Sequence, residues 1–151
     1  MKYKVLAVGL ILMLPQFASA KDNLATKFVN EVKTAADGNG EVNASIDIEC
    51  PAKSASGKIL VSKASYEIDK SVGAFVFKNT NDTPARMTSI VTISPDDNFM
   101  SDEVIGMSYI FQMPGGQYFV DVLKSGKAKS GININGKSGI TWVDCKIVKP
   151  S

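Results

Sequence analysis

Residues 41–50, EVNASIDIEC, alternate strictly between polar and apolar side chains. Successive side chains of a β-strand point to opposite faces, so a period of two predicts a strand with one buried face. The apolar face contains every second residue of the stretch: Val42, Ala44, Ile46, Ile48 and Cys50. We therefore expect a β-strand here, with Cys50 directed into the core.

The only other cysteine, Cys145, lies in a second alternating run near the end of the chain, on the same face as Thr141, Val143 and Ile147. Two inward-facing cysteines in an oxidising compartment predict a disulfide. A Cys50–Cys145 bond requires that the first and last strands are neighbours or face each other across the core. The bond would close a covalent loop that contains almost the whole domain.

The first twenty residues have the three-part layout of a secretory signal peptide. Lys2 and Lys4 precede an apolar run at residues 5–14, and Ala18-Ser19-Ala20 follows as a cleavage motif. The apolar run is shorter than the roughly 20 residues that span a bilayer as a helix. We therefore expect cleavage after Ala20, no transmembrane segment in the mature chain, and a periplasmic or secreted protein of a bacterium.

The mature chain is predicted to be a single domain in two parts, a helix with its turn at residues 21–40 and a β domain at residues 41–151. Leu24, Phe28 and Val32 recur every four residues, which is typical of an amphipathic helix. Asn23 is suited to cap its start and Gly38 to end it. About eight alternating runs separated by turn residues follow, which predicts an antiparallel β-sandwich or small barrel.

Three details of the β domain carry expectations that a structure can test. The run at residues 72–78 is apolar on both faces, so we expect the N-terminal helix to cover its outer face. In the run at 87–93, simple alternation places Met87, Ser89, Val91 and Ile93 on one face. Residues 114–122 are similar to a glycine-tyrosine-valine turn and strand common in secreted β-sandwich modules, a likeness that identifies no family.

Composition excludes several classes of function. Lys2 and Lys4 account for the excess of 17 basic over 15 acidic residues, so the mature chain is formally neutral and gives no electrostatic basis for binding nucleic acid. The chain has no histidine, which removes Ser-His and Cys-His catalysis and histidine metal sites. We expect no cofactor and no enzymatic activity.

An acidic cluster at Asp96, Asp97, Asp102 and Glu103 is the one weak candidate for a metal or catalytic site. Several oxygen ligands in one loop are the pattern that calcium requires, and two carboxylates are what glycoside hydrolysis requires. The cluster lacks a regular ligand spacing, and Phe99 and Met100 interrupt it. A solvated turn is the interpretation we prefer.

The candidate partner-binding residues are Phe119, Trp142, Lys127 and Lys129. Phe119 and Trp142 fall on the faces of their strands opposite the predicted core, and the lysines lie in the intervening basic segment. Aromatic anchors with a charged rim are common in binding surfaces. We therefore predict a non-catalytic binding protein that binds or inhibits a protein or envelope component. The alternatives are an assembly subunit that pairs through strand edges and, less favoured, a carboxylate-based hydrolase.

Overall fold

The computed structural model describes residues 20–78, 83–95 and 101–149. Two sequence predictions lie outside these ranges. The predicted signal peptide does so except for Ala20, and so do the acidic candidates Asp96 and Asp97.

One helix precedes eight strands. The elements are α1 (Ala20–Asp37), β1 (Glu41–Glu49), β2 (Gly57–Lys63), β3 (Val72–Phe77), β4 (Ala85–Ile93), β5 (Gly106–Met113), β6 (Gly116–Leu123), β7 (Lys127–Ile134) and β8 (Thr141–Val148). Short 3₁₀ turns at Lys53–Ala55 and Ile68–Lys70 lie in the connections on either side of β2.

The strands close into a barrel in the simplest possible order. Each strand pairs antiparallel with the next one along the chain, and β8 pairs with β1 to complete the circle. The predicted mainly antiparallel β fold with one N-terminal helix is confirmed, and of the two architectures considered, the structure is the barrel. We call the β1–β8 contact the seam.

The inner faces of the strands form one hydrophobic core. The alternation in β1 is confirmed, because Ala44, Ile46 and Ile48 are buried. Aromatic side chains fill much of the interior, with Phe75 packed against Phe111 and Tyr118 at ring-centroid distances of 5.7 and 4.8 Å. Burying such large apolar side chains is the main favourable contribution to folding.

Helix α1 packs at one end of the barrel, so the prediction that it covers β3 is wrong. Its apolar stripe joins the barrel core, and Phe28 lies 5.5 Å from the buried Tyr109 ring. Thr26 donates a hydrogen bond of 3.0 Å to the carbonyl of Lys124, just after β6. The outer face of β3 remains open, since Val72 is 50% exposed. The other strands of the barrel already cover the inner face of β3. The apolar stripe of α1 is buried at one end of the barrel instead of on the outer face of β3.

The N-terminal end of α1 differs from the sequence prediction, whereas its last residue, Asp37, directly precedes the predicted end at Gly38. The helix has already begun at Ala20, three residues before the predicted cap Asn23. At its other end Asn39, not Gly38, takes the left-handed backbone conformation with φ of 49°. The N–H of Gly40 then bonds the carbonyl of Ala35 at 2.6 Å, the bond that closes a Schellman motif. Asparagine tolerates this conformation better than most residues, because its short polar side chain bonds locally.

A β-bulge overturns the simple alternation expected in β4. The register with β5 shifts between Met87 and Ser89, so that Met87 and Ile90 are both buried while Val91 is 48% exposed. One extra residue in a strand reverses the facing of everything after it. Val91 is therefore an outer residue, contrary to the prediction.

Candidate functional site

The predicted disulfide between Cys50 and Cys145 is confirmed, and it lies at the seam. Register at the seam pairs Glu49 with Lys146, so Cys50, the residue directly after β1, lies opposite Cys145. Their Cα atoms are 4.3 Å apart. The first and last strands are thus direct neighbours, one of the two arrangements that the sequence allowed.

Phe119 and Trp142 meet on the outer surface of the barrel, as the sequence predicted for their facing. Register places Phe119 opposite Gly131 and Gly131 opposite Trp142. The Trp142 ring lies over Gly131, where a Cβ atom would come within 2.8 Å of Cε3, and it reaches the Phe119 ring at 6.1 Å. A larger residue at position 131 would displace the side chains of Trp142 and Ile140. Trp142 remains 40% exposed.

Lys129 contacts the Trp142 ring, whereas Lys127 lies two residues earlier, at the start of β7. The Nζ atom of Lys129 is 4.7 Å from the Trp142 ring centroid and 3.3 Å from Oδ2 of Asp121. We call Phe119, Trp142 and Lys129 the aromatic cluster. Lys127 is exposed and lies opposite Lys146 in register. The structure therefore brings together three of the four candidate residues.

A second candidate site, which the sequence did not indicate, is the barrel end opposite α1. We call this end the mouth. The turn between β5 and β6 and the β1–β2 connection lie here, and a cavity of about 650 Å³ opens between them. Its walls are mainly apolar side chains of the inner faces and the rim: Ala52, Ala55, Phe77, Met113, Pro114, Ile132 and Val143.

The exposure of two inner-face residues shows that the mouth is incompletely filled. Ile132 and Val143 have the inward parity of the buried Ser130 and Cys145, yet they are 36% and 38% exposed. The other end of the barrel is different, because α1 packs its apolar stripe into the core there. Within residues 20–78, 83–95 and 101–149, the two ends of the barrel are therefore unequal, with one covered by a helix and one left open.

Two of the hydroxyl-bearing residues that line the mouth, Tyr118 and Ser130, are buried, and we call their position the floor. The Tyr118 hydroxyl donates to the carbonyl of Ala55 at 2.7 Å, which ties the β1–β2 connection to β6. Burial raises the pKa of Tyr118 to about 12, partly opposed by the Ser130 hydroxyl, so this phenol stays neutral. Ser130 Oγ also lies 3.5 Å from Cys145 Sγ. These contacts fix the floor without placing a charge in it.

The described part of the acidic cluster shows no metal centre. Asp102 and Glu103 are exposed in the connection before β5, where the Glu103 N–H bonds Ser101 Oγ at 3.2 Å. Within residues 20–78, 83–95 and 101–149, no three acidic or cysteine side chains come close enough to hold a metal ion.

The described part of the chain is an eight-stranded antiparallel barrel, closed by a helix at one end and open at the other. No protein-family model, no curated protein and no solved structure matches it. The described residues contain no helix that is long and apolar enough to cross a bilayer.

Sequence reasoning missed the mouth because its residues look like ordinary core. Ile132 and Val143 alternate correctly for buried positions, and nothing in their local pattern shows that the opposite side of the barrel leaves space. One indication was present in the composition of the loops. The β1–β2 and β5–β6 connections at this end contain small residues, such as Ala52, Ala55 and Gly115, which cover less of a barrel end than large side chains do.

Proposed function

We propose that the protein is an exported, non-catalytic binding protein whose mouth takes up a neutral apolar ligand, or the apolar part of a cell-envelope component. One observation carries the proposal, the cavity of about 650 Å³ at the open end of the barrel. Small-molecule sites are typically concave, mainly apolar and about 300–1,000 Å³ in volume, and barrel mouths are a common place for them. An eight-stranded barrel is just wide enough to hold one small ligand.

The chemistry of the lining supports a neutral ligand. Among the described residues, those that line the cavity include no acidic or basic side chain. An ionised group placed deep in such a cavity would lose its hydration without gaining a partner. The hydroxyls of Tyr118 and Ser130 are the polar groups available at the floor.

Two observations support binding without catalysis, and two support export. The chain has no histidine, and both cysteines are bonded, so neither offers a thiolate nucleophile. The N-terminal sequence has the layout of a signal peptide, and disulfides persist mainly outside the bacterial cytoplasm. We place the protein in the periplasm or the medium of a bacterium.

The test is a fluorescence titration of the purified oxidised protein with the neutral dye N-phenyl-1-naphthylamine. Binding in the mouth should increase the dye emission and saturate with one dye per chain. Val143→Phe should weaken binding at least about ten-fold, a change of about 1.4 kcal/mol, because the larger ring occupies the cavity.

Val76→Phe is the matched control. Val76 is 37% exposed, almost equal to Val143, but it lies on the outer face of β3. This variant should bind the dye within about two-fold of the unchanged protein. Equal losses in both variants, or saturation at several dyes per chain, would show non-specific surface binding and contradict the proposal.

The aromatic cluster supports a second candidate function, the docking of a protein partner on the outer surface. The observation that favours it is the 40% exposure of Trp142 beside the Lys129 ammonium group. Tryptophan is enriched in binding hot spots. If a partner docks there, Trp142→Ala should abolish its capture and Val76→Ala should not. Assembly through strand edges has less support, since each strand of the barrel pairs with two neighbours over at least part of its length.

A further inference from the structure

The seam is paired along only part of its length. β1 and β8 share three register pairs, which join Asp47–Glu49 to Lys146–Val148. The first half of β8, Thr141 to Asp144, pairs with β7 on one side. Within the described residues it has no strand partner on the other side, and all four residues are exposed. Unpaired strand backbone of this kind is a template for a further strand.

Local chemistry explains why β1 does not continue along this edge. The Cys50 N–H is used by Ser56 Oγ at 2.8 Å, and Pro51, the next residue, has no N–H to donate. The chain turns away through the 3₁₀ turn at Lys53–Ala55. A short gap in the sheet therefore remains between β8 and the β1–β2 connection, directly beside the mouth.

The disulfide shows which backbone groups face this gap. Directly opposed residues lie about 4.5 Å apart when they are not hydrogen-bonded to each other and about 5.5 Å apart when they are. The Cα separation of 4.3 Å marks Cys50 and Cys145 as a non-bonded pair, so the backbone groups of Cys145 point towards β7. Because direction alternates along a strand, the N–H and C=O groups of Asp144 and Trp142 point into the gap.

The side chains of the same half-strand lead into the cavity. Thr141 and Val143 line the mouth, whereas Trp142 and Asp144 lie on the outer face. A strand added beside β8 would continue the line of β1, and its alternate side chains would enter the cavity next to Val143. One groove thus offers both directional backbone pairing and an apolar pocket.

We propose that the ligand of the mouth is an extended peptide segment, which adds antiparallel to Thr141–Asp144 and inserts one apolar side chain into the cavity. This inference rests on the proposed function and narrows its ligand class. Strand addition combined with side-chain pockets is a general mode of peptide recognition, in which the backbone provides affinity and the pocket provides specificity.

The charged side chains at the rim of the mouth indicate which charge the ends of the peptide should have. They also disfavour a second copy of this chain as the occupant. In the described residues of the rim connections, the charged side chains are Lys53, Lys78 and Lys137, of which Lys78 is paired with Glu49 at 3.0 Å. They favour acidic residues on either side of the inserted side chain. A two-fold pairing of two β8 edges would bring like rims together, because such an interface uses the same patch of both copies.

The test uses fluorescein-labelled seven-residue peptides and the oxidised protein. The parent peptide has glutamate at both ends, phenylalanine at the fourth position, and threonine or valine elsewhere. With the phenylalanine ring in the mouth, the N–H groups of the third and fifth residues face β8. N-methylation of these two residues should weaken binding at least about ten-fold in fluorescence anisotropy, because both donors are removed.

A second methylated peptide is the matched control. N-methylation of the fourth and sixth residues alters groups that face away from β8, so this peptide should bind within about two-fold of the parent. A peptide with lysine in place of both glutamates should bind more weakly than the parent at low salt. Equal binding by the two methylated peptides would overturn strand addition.

A pair of protein variants tests the same edge from the other side. Asp144→Pro removes an N–H that faces the gap, which proline permits at a strand edge, while Asp144→Ala keeps it. Asp144→Pro should lose the parent peptide and keep the neutral dye, and Asp144→Ala should keep both. If Asp144→Pro does not fold by circular dichroism, the two methylated peptides still decide the question.

The remaining outcomes separate this inference from the proposed function. If the dye binds in the mouth and the parent peptide does not, the peptide inference fails and the proposed function stands. If neither binds, both fail. A protein that elutes as a dimer, and becomes monomeric on Asp144→Pro, would show that the edge is occupied by a second copy and would also overturn the inference.

Discussion

Removal of the disulfide by the double substitution Cys50→Ala and Cys145→Ala should destabilise the protein by about 4 kcal/mol. The bond joins residues separated by 95 positions, and a closed loop of that length removes about 4 to 5 kcal/mol of chain entropy from the unfolded state. Loss of the Cys145 sulfur atom also reduces packing, since this residue is only 8% exposed. This loss contributes less to the destabilisation, because alanine keeps the Cβ atom and its contacts.

The position of the bond predicts where the loss should appear first. The seam has three register pairs, compared with eight between β5 and β6. Without the bond, the seam should open more easily than the rest of the barrel, since few backbone hydrogen bonds hold it. The N–H groups of Glu49 and Lys146 face the seam, so their amide exchange should then accelerate more than that of Tyr109 or Val120, which lie in the well-paired strands.

Urea unfolding followed by circular dichroism gives the global value, and hydrogen exchange followed by NMR gives the local one. Reduced unchanged protein is the control, because it lacks the bond but keeps both sulfur atoms. A loss below about 1 kcal/mol would refute the assignment of the bond as the main constraint on the unfolded chain. Uniform acceleration of exchange across all strands would refute the seam as the weak point.

Three further substitutions test other contacts. Tyr109→Phe should leave stability unchanged or raise it by up to about 1 kcal/mol in urea unfolding, because the buried hydroxyl has no partner among the described residues; a clear loss would mean that it is bonded. Trp142→Ala should cost about 1 to 2 kcal/mol, through lost contact with Phe119 and an uncovered Gly131, yet leave dye binding unchanged, and a loss of dye affinity would place Trp142 in the mouth. Because the pKa of Tyr118 is raised to about 12, against about 10 in the unfolded chain, its neutral form stabilises the fold below pH 10 and that contribution is lost between pH 10 and 12. Tyr118→Phe should therefore flatten the decline of unfolding free energy over that interval, and identical slopes would contradict the shift.

The strand pattern and the disulfide were predictable from sequence because both depend on local alternation. Each inward residue of β1 is identified by its neighbours two positions away, and Cys50 continues the same series. Likewise Pro114 and Gly115 form the tight turn between β5 and β6, where Gly115 takes a φ of 82°. Such features need no knowledge of distant parts of the chain.

The remaining features depend on contacts that local patterns do not encode. The bulge in β4 is a property of its register with β5, and alternation alone cannot place one extra residue between Met87 and Ser89. The position of α1 follows from which barrel end has space for Phe28. The mouth is the clearest case, since its cavity is formed by residues from several separate elements, such as Phe77, Met113 and Val143.

The most direct measurement of the central claim is a map of methyl chemical shifts in the oxidised protein, titrated with N-phenyl-1-naphthylamine. The methyl groups of Ile132 and Val143 line the mouth, while those of Val29 and Val32 are buried on α1 at the opposite end. A ligand in the mouth should shift the first pair, through ring currents of the bound dye, and leave the second pair unchanged. Shifts confined to outer residues such as Leu60 and Val76, with Ile132 and Val143 unmoved at saturation, would contradict the account.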